Sequence, residues 1–157
     1  MFSQGFNDKI LACAARNRSW LCVGLDPQVE KLPAGLSRDA RGVFEFAKAI
    51  IEATSDLVCA YKPNLAFFEA LGREGLEALE RARALIPPEI PVILDAKRGD
   101  IGNTAACYAR ALFEWLRGDA ATVSPYLGTD SVEPFLAFAG KGVIALCLTS
   151  NPGAAEL

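Results

Sequence analysis

The chain has 157 residues with 16 basic against 19 acidic, a net charge of −3, and 52% of its residues are apolar. That balance suits one globular domain and supplies no basic surface for nucleic acid. No apolar run reaches the roughly 18 residues of a membrane span, and Asp8 and Lys9 stand where a signal peptide needs its apolar core, so a cytoplasmic protein with no membrane partner is expected.

In chain order, an amphipathic helix is predicted over residues 6–16 and a strand over 20–25. A loop with Pro27, Pro33 and Gly35 leads to a helix over 40–54, where Val43, Phe46, Ala47, Ile50 and Ile51 recur at helical spacing. Strand two is expected at 57–61. The helical region 65–85 is broken near Gly72 and Gly75 and stopped by Pro87-Pro88. Strand three, 92–94, follows Pro91 and reads as covered on both faces. A helix over 103–116, strand four at 121–123, a helix over 132–139 ending at Gly140, and strand five over 142–148 complete the pattern.

Repeated βα units with buried strands argue for a parallel sheet. Asp26, Lys62, Asp95, Lys97 and Ser150 all fall just past the C-terminal end of a predicted strand. Barrels and doubly wound sheets both place their chemistry at that end, so the pattern fits either.

Histidine is absent, which removes Ser-His-Asp and Cys-His nucleophiles and imidazole metal ligands, leaving lysines and carboxylates as proton carriers. The five cysteines, Cys13, Cys22, Cys59, Cys107 and Cys147, lack CxxC spacing and read as buried, reduced thiols.

The richest segment is 95–104, DAKRGDIGNT. Asp95 and Lys97, two residues apart on a strand, are expected on one side of it, and Gly99 is expected to turn the chain so that Asp100 comes back toward them. An ammonium flanked by acids is stabilised in its charged form and can deliver a proton in a dry pocket. Taken singly, each residue has an ordinary explanation. Asp100 could be a helix N-cap, Lys97 and Arg98 solvated loop charges, Asp26 a turn residue before Pro27, Lys62 a snorkelling edge charge, and Ser150-Asn151-Pro152-Gly153 a turn.

Taken together, the segment resembles the DxKxxDIxxT signature of the orotidine 5'-monophosphate decarboxylase family, with Asp95, Lys97, Asp100, Ile101 and Thr104 at its fixed positions. LCVGLDP (21–27), CAYKPNLAFFE (59–69), SPYLGTDS (124–131) and LTSNPG (148–153) resemble the family's first, second, fourth and fifth strand ends, in wording similar to the bacterial subgroup with larger barrels. The resemblance implies an α/β fold of the (β/α)₈ TIM-barrel type. A complete barrel takes about 250 residues, so about the first five βα units are expected here. Residues 1–157 then form the N-terminal part of a single barrel domain, incomplete at the C-terminus and without the late loops that hold the substrate's phosphate.

The implied reaction is decarboxylation of orotidine 5'-monophosphate to uridine 5'-monophosphate in pyrimidine biosynthesis, with no metal and no organic cofactor. By the same resemblance, Lys97, Asp95, Asp100 and Lys62 are catalytic, with Lys97 protonating C6. Asp26 and Lys62 contact the ribose, Ser150 reads the pyrimidine, and Ile101 and Thr104 complete the binding site. A homodimer is implied, in which Asp100, Ile101 and Thr104 serve the neighbouring site; no family role maps onto Arg98.

Three other readings share features with this chain. Metal-using sugar-phosphate decarboxylases and synthases share Asp-x-Lys-x-x-Asp but carry an acid at the end of strand two, where this chain has Lys62. A Schiff-base aldolase needs a lysine of depressed pKa, which acids beside Lys97 oppose. An inactive barrel fragment that pairs with another chain through an open sheet edge fits the length.

Overall fold

The computed structural model describes residues 5–156; residues 1–4 and 157 of the expected domain lie outside the described residues. Strands and helices alternate: α1 (Phe6–Asn17), β1 (Cys22–Leu25), α2 (Ala40–Thr54), β2 (Ala60–Pro63), α3 (Leu65–Glu69), α4 (Gly72–Leu85), β3 (Ile93–Arg98), α5 (Gly102–Arg110), β4 (Ala120–Val123), α6 (Glu133–Leu136) and β5 (Gly142–Ala145).

All strand pairings are parallel. β1 pairs with β2 from Cys22 opposite Ala60 to Leu25 opposite Pro63. β2 meets β3 through the bridges Tyr61–Val92 and Asn64–Asp95, and β4 lies between β3 and β5. Spatial order therefore follows chain order at every step. A doubly wound sheet reverses its order at a switch point, whereas a barrel advances one strand at a time. The architecture left open by the pattern of elements is thus settled as an arc of a barrel.

The helices pack on the outside of this arc. Val43, Ala47 and Ile51 of α2 and Ala78, Leu79 and Ala82 of α4 share one apolar core with Tyr61, Val92 and Leu94 of the strand region. Tyr61 is fully buried there, and its hydroxyl is satisfied by Thr54 at 2.7 Å and the Ile51 carbonyl at 3.1 Å. Each buried Val, Leu or Ile of this core contributes roughly 1.5–3 kcal/mol. The break between α3 and α4 falls at Gly72, whose φ of 63° is left-handed, and Gly75 permits the close approach that follows, since a Cβ there would lie 2.0 Å from the Phe68 carbonyl oxygen.

The N-terminal end of the arc is closed by α1. Phe6 and Ile10 pack on a small cluster of Ala14, Cys59, Ala60, Ile93 and Ala120. Lys9 holds Asp119 at 2.7 Å, while the other Asp119 oxygen accepts from the Val92 amide at 2.9 Å. α1 is thereby tied to the starts of β3 and β4, which leaves the opposite, C-terminal end free for chemistry.

Several boundaries differ from expectation. β2 begins at Ala60 rather than 57, β3 runs on to Arg98, and β5 stops at Ala145. Strand limits follow where a neighbour's backbone can pair, which an apolar run does not specify. The expected helix over 103–116 widens into a π-helical turn at Ala111–Trp115, where Phe113 is buried edge-on to Phe135 and beside Phe138. The expected helix over 132–139 shortens to Glu133–Leu136, although Gly140 does adopt a left-handed φ of 78°.

The cysteine expectation holds only in part. All five are free, but Cys22, Cys107 and Cys147 are exposed and only Cys13 and Cys59 are buried. Cys22 lies on β1, which pairs with one strand only among the described residues, Cys107 lies on the outer side of α5, and Cys147 follows the end of β5. Among the described residues no helix is long and apolar enough to cross a membrane.

Candidate active site

Three sequence-predicted residues converge at the C-terminal end of the strands. Asp95, at the bend in β3, has a side chain only 8% exposed. Lys62 reaches from β2 to its Oδ2 at 2.8 Å, and Lys97 reaches back to its Oδ1 at 2.5 Å. Two ammonium groups thus occupy opposite oxygens of one buried carboxylate.

Alternation along a regular strand does not produce this contact. The pairing of β3 with β4 shifts between Leu94 and Arg98, and Lys97 itself adopts a φ of 46°, in the left-handed region. Few residues other than glycine sit there without compensation. Thr122 of β4 supplies it: its hydroxyl oxygen accepts the amides of Ala96 and Lys97, each at 3.0 Å, and donates to Asp95 Oδ1 at 3.0 Å. Sequence reasoning missed Thr122. The available signal was a single hydroxyl in the otherwise apolar run Ala120–Val123.

Burial opposes ionisation of Asp95, but the hydrogen bonds from Lys62, Lys97 and Thr122 outweigh it and hold its carboxyl down to about 2. Burial likewise works against the Lys62 charge. The hydrogen bond and charge of Asp95, helped by Asp26, overcome that effect and raise Lys62 above the usual lysine value. The array is therefore a fixed cation–anion–cation set at neutral pH.

The remaining predicted residues lie around this set. Asp26 is exposed just past β1 and acts on Lys62 through its charge. Asp100 does not come back to the array, being outside ion-pair distance of Lys62 and Lys97. Nor does it cap α5: that position belongs to Ile101, whose amide donates to Asp100 Oδ1 at 2.8 Å. The expected turn at Gly99 is made by Lys97 instead, and Gly99 serves close approach, since a Cβ there would lie 3.0 Å from both Cβ and carbonyl oxygen of Ser124. Ile101 is 52% exposed, Thr104 on the first turn of α5 is exposed, and Asp100 is partly covered. Ser150 is exposed in the turn after β5, beside a cavity of about 420 Å³ lined by Ser124, Pro125, Tyr126, Leu146, Thr149 and Asn151.

Arg98 is not a solvated loop charge. It pairs with Glu69 at the end of α3 and lies 5.1 Å above the Tyr108 ring of α5, so it pins the segment that carries Lys97 to both flanking helices.

Comparison with known proteins shows the family and the fold. Residues 19–157 match the model of the family described as Orotidine 5'-phosphate decarboxylase / HUMPS family. The chain is 59% identical over 152 residues to the orotidine 5'-phosphate decarboxylase of Roseiflexus sp. (strain RS-1), covering 97% of this chain and 56% of that protein. Against the enzyme of the same name from Herpetosiphon aurantiacus it is 60% identical over 148 residues. The solved structure of Leishmania donovani OMP decarboxylase is similar with a TM-score of 0.88 at 44% identity, over 98% of this chain and 58% of that one. Leishmania donovani UMP synthase gives the same TM-score over 33% of its own length. The chain spans about half the length of the curated relatives it matches, and its five strands correspond to about half of their barrel. On the sequence match and the shared fold, this chain belongs to the orotidine 5'-phosphate decarboxylase / HUMPS family.

Proposed function

We propose that the chain carries the catalytic array of an orotidine 5'-monophosphate decarboxylase, a carboxy-lyase that forms uridine 5'-monophosphate in pyrimidine biosynthesis in the cytoplasm. Residues 1–157 form the N-terminal part of its barrel domain. The observation that carries the reading is the placement of Lys62 and Lys97 on opposite oxygens of Asp95 at the C-terminal end of the strands.

The bond from C6 to its carboxylate breaks, CO₂ leaves, and the electron pair remains on C6. The pyrimidine ring delocalises this vinyl carbanion poorly, so the site must supply localised positive charge already in place. The Lys97 ammonium is that charge and then gives a proton to C6, regaining one from solvent afterwards. Asp95 fixes the ammonium and repels the substrate carboxylate, a repulsion relieved as CO₂ departs. Lys62 and Asp26 hold the ribose, and Ser150 reads the pyrimidine. No metal and no organic cofactor takes part.

The site is completed across a homodimer. Asp100, which makes no ion pair with Lys62 or Lys97, and the exposed Ile101 and Thr104 serve the neighbouring site in a symmetric two-fold assembly. The test is conversion of orotidine 5'-monophosphate by the purified chain, alone and with the C-terminal half of the Roseiflexus sp. relative added as a second polypeptide. Conversion is expected in the completed barrel. A completed, folded barrel that binds the nucleotide but releases no CO₂ would refute the reading.

A further inference from the structure

We infer that Thr122 is a positioning residue of this site: its hydroxyl holds the bulge that turns Lys97 toward Asp95 and orients the carboxylate between the two lysines. The inference rests on the decarboxylase reading for its kinetic consequence and on geometry for the rest.

A threonine hydroxyl has one proton and two lone pairs. At Thr122 all three are used: the amides of Ala96 and Lys97 donate to it, and it donates to Asp95 Oδ1, every bond 3.0 Å long. The ladder between β3 and β4 is interrupted between Leu94 and Arg98, so these two amides have lost the partners a regular strand would give them. Thr122 replaces them with one side-chain atom, itself 8% exposed. An amide left without a partner in this part-buried setting is costly, and Lys97 also carries the strain of a φ of 46°. The hydroxyl thus stabilises a backbone conformation that a lysine would otherwise leave, and without it the Lys97 ammonium loses its fixed approach to Asp95.

The direction of the third bond adds a second effect. Because both lone pairs face N–H groups, the hydroxyl proton must point at Asp95. Asp95 Oδ1 then receives Thr122 and Lys97 together, while Oδ2 receives Lys62. The charged groups that face this carboxylate are Lys62 and Lys97, with Asp26 acting on Lys62 from β1.

The experiment compares Thr122→Val, Thr122→Ala and Thr122→Ser in the chain supplemented with the relative's C-terminal half. It follows steady-state kinetics, the Asp95 carboxyl titration by ¹³C NMR, and amide exchange at Ala96 and Lys97. Thr122→Val and Thr122→Ala are expected to lower kcat about 100-fold, the scale of a small misplacement of a reacting group, with KM little changed. The Asp95 midpoint should rise and both amides should exchange faster. Thr122→Ser, which keeps the hydroxyl, should restore most of each. Wild-type kcat in both Val and Ala variants, an unmoved Asp95 midpoint, or a serine variant as damaged as valine overturns the inference. If the wild-type chain in a completed, folded barrel that binds the nucleotide releases no CO₂, the decarboxylase reading falls, while the titration and exchange still decide the role of Thr122.

Discussion

Lys62 crosses from β2 to hydrogen-bond Asp95 at the bend in β3, 2.8 Å away, although 33 residues separate them in the chain. The pair joins two strands whose backbone pairing, among the described residues, consists of two isolated bridges. Asp95 keeps its other oxygen for Lys97, so the residue expected to hold the proton donor also helps to hold the sheet together.

The first consequence is kinetic. Lys97→Ala removes the ammonium that faces the developing carbanion, while Asp26 and Lys62 remain to hold the ribose. Turnover in the completed barrel should fall by roughly 10³-fold or more with a smaller change in KM, the signature of a group acting in the transition state. Arg98 is unsuitable as a neutral control because it binds Glu69 and Tyr108. Arg73→Ala serves, its side chain being 90% exposed. Near-normal kcat for Lys97→Ala rules out the assigned role.

The second concerns acid stability. Burial raises the pKa of Asp95 but its hydrogen bonds prevail, lowering it from 3.8 to about 2. A carboxyl held below its unfolded value stabilises the fold above that value and loses the contribution as pH falls through about 2. The contribution is on the order of 2 kcal/mol at neutral pH. Asp95→Asn should therefore be less stable than wild type at neutral pH, and urea denaturation should show the gap closing as the pH is lowered toward 2. A gap independent of pH contradicts this account.

The third concerns metals. Both Asp95 oxygens are occupied by ammonium groups, a poor setting for a divalent cation. Activity in the completed barrel should survive dialysis against EDTA unchanged. Loss of turnover that Mg²⁺ restores would move the assignment to the metal-using sugar-phosphate relatives.

The fourth concerns assembly. If Asp100 serves the neighbouring site, Lys97→Ala and Asp100→Ala chains are each inactive alone but should regain activity on mixing, since one of the two sites in the mixed dimer is intact. Light scattering should report the dimer. A mixture no more active than its components means that each site is built from one chain.

The apolar rhythm of the chain was enough to place α1, α2 and five strands, because helices and strands bury their faces at different periods, and Gly72 and Gly75 marked the α3–α4 break. Of the strands expected to be buried, β1 and β5 are largely exposed. The same rhythm left barrel and doubly wound sheet equivalent. The segment 95–104 showed that Asp95 and Lys97 belong together, and the resemblance of segments 21–27 and 59–69 to the same family added Asp26 and Lys62. What only the tertiary structure decided was how they meet. Lys97 turns through a left-handed backbone that no local signal marks, and that turn is held by Thr122, 25 residues away from Lys97 on the neighbouring strand. Strand order and the reach of Lys62 to Asp95 are likewise set by pairing across the sheet. Hydrogen bonds between distant segments leave no periodicity in the chain, so their partners become legible only once the strands lie side by side.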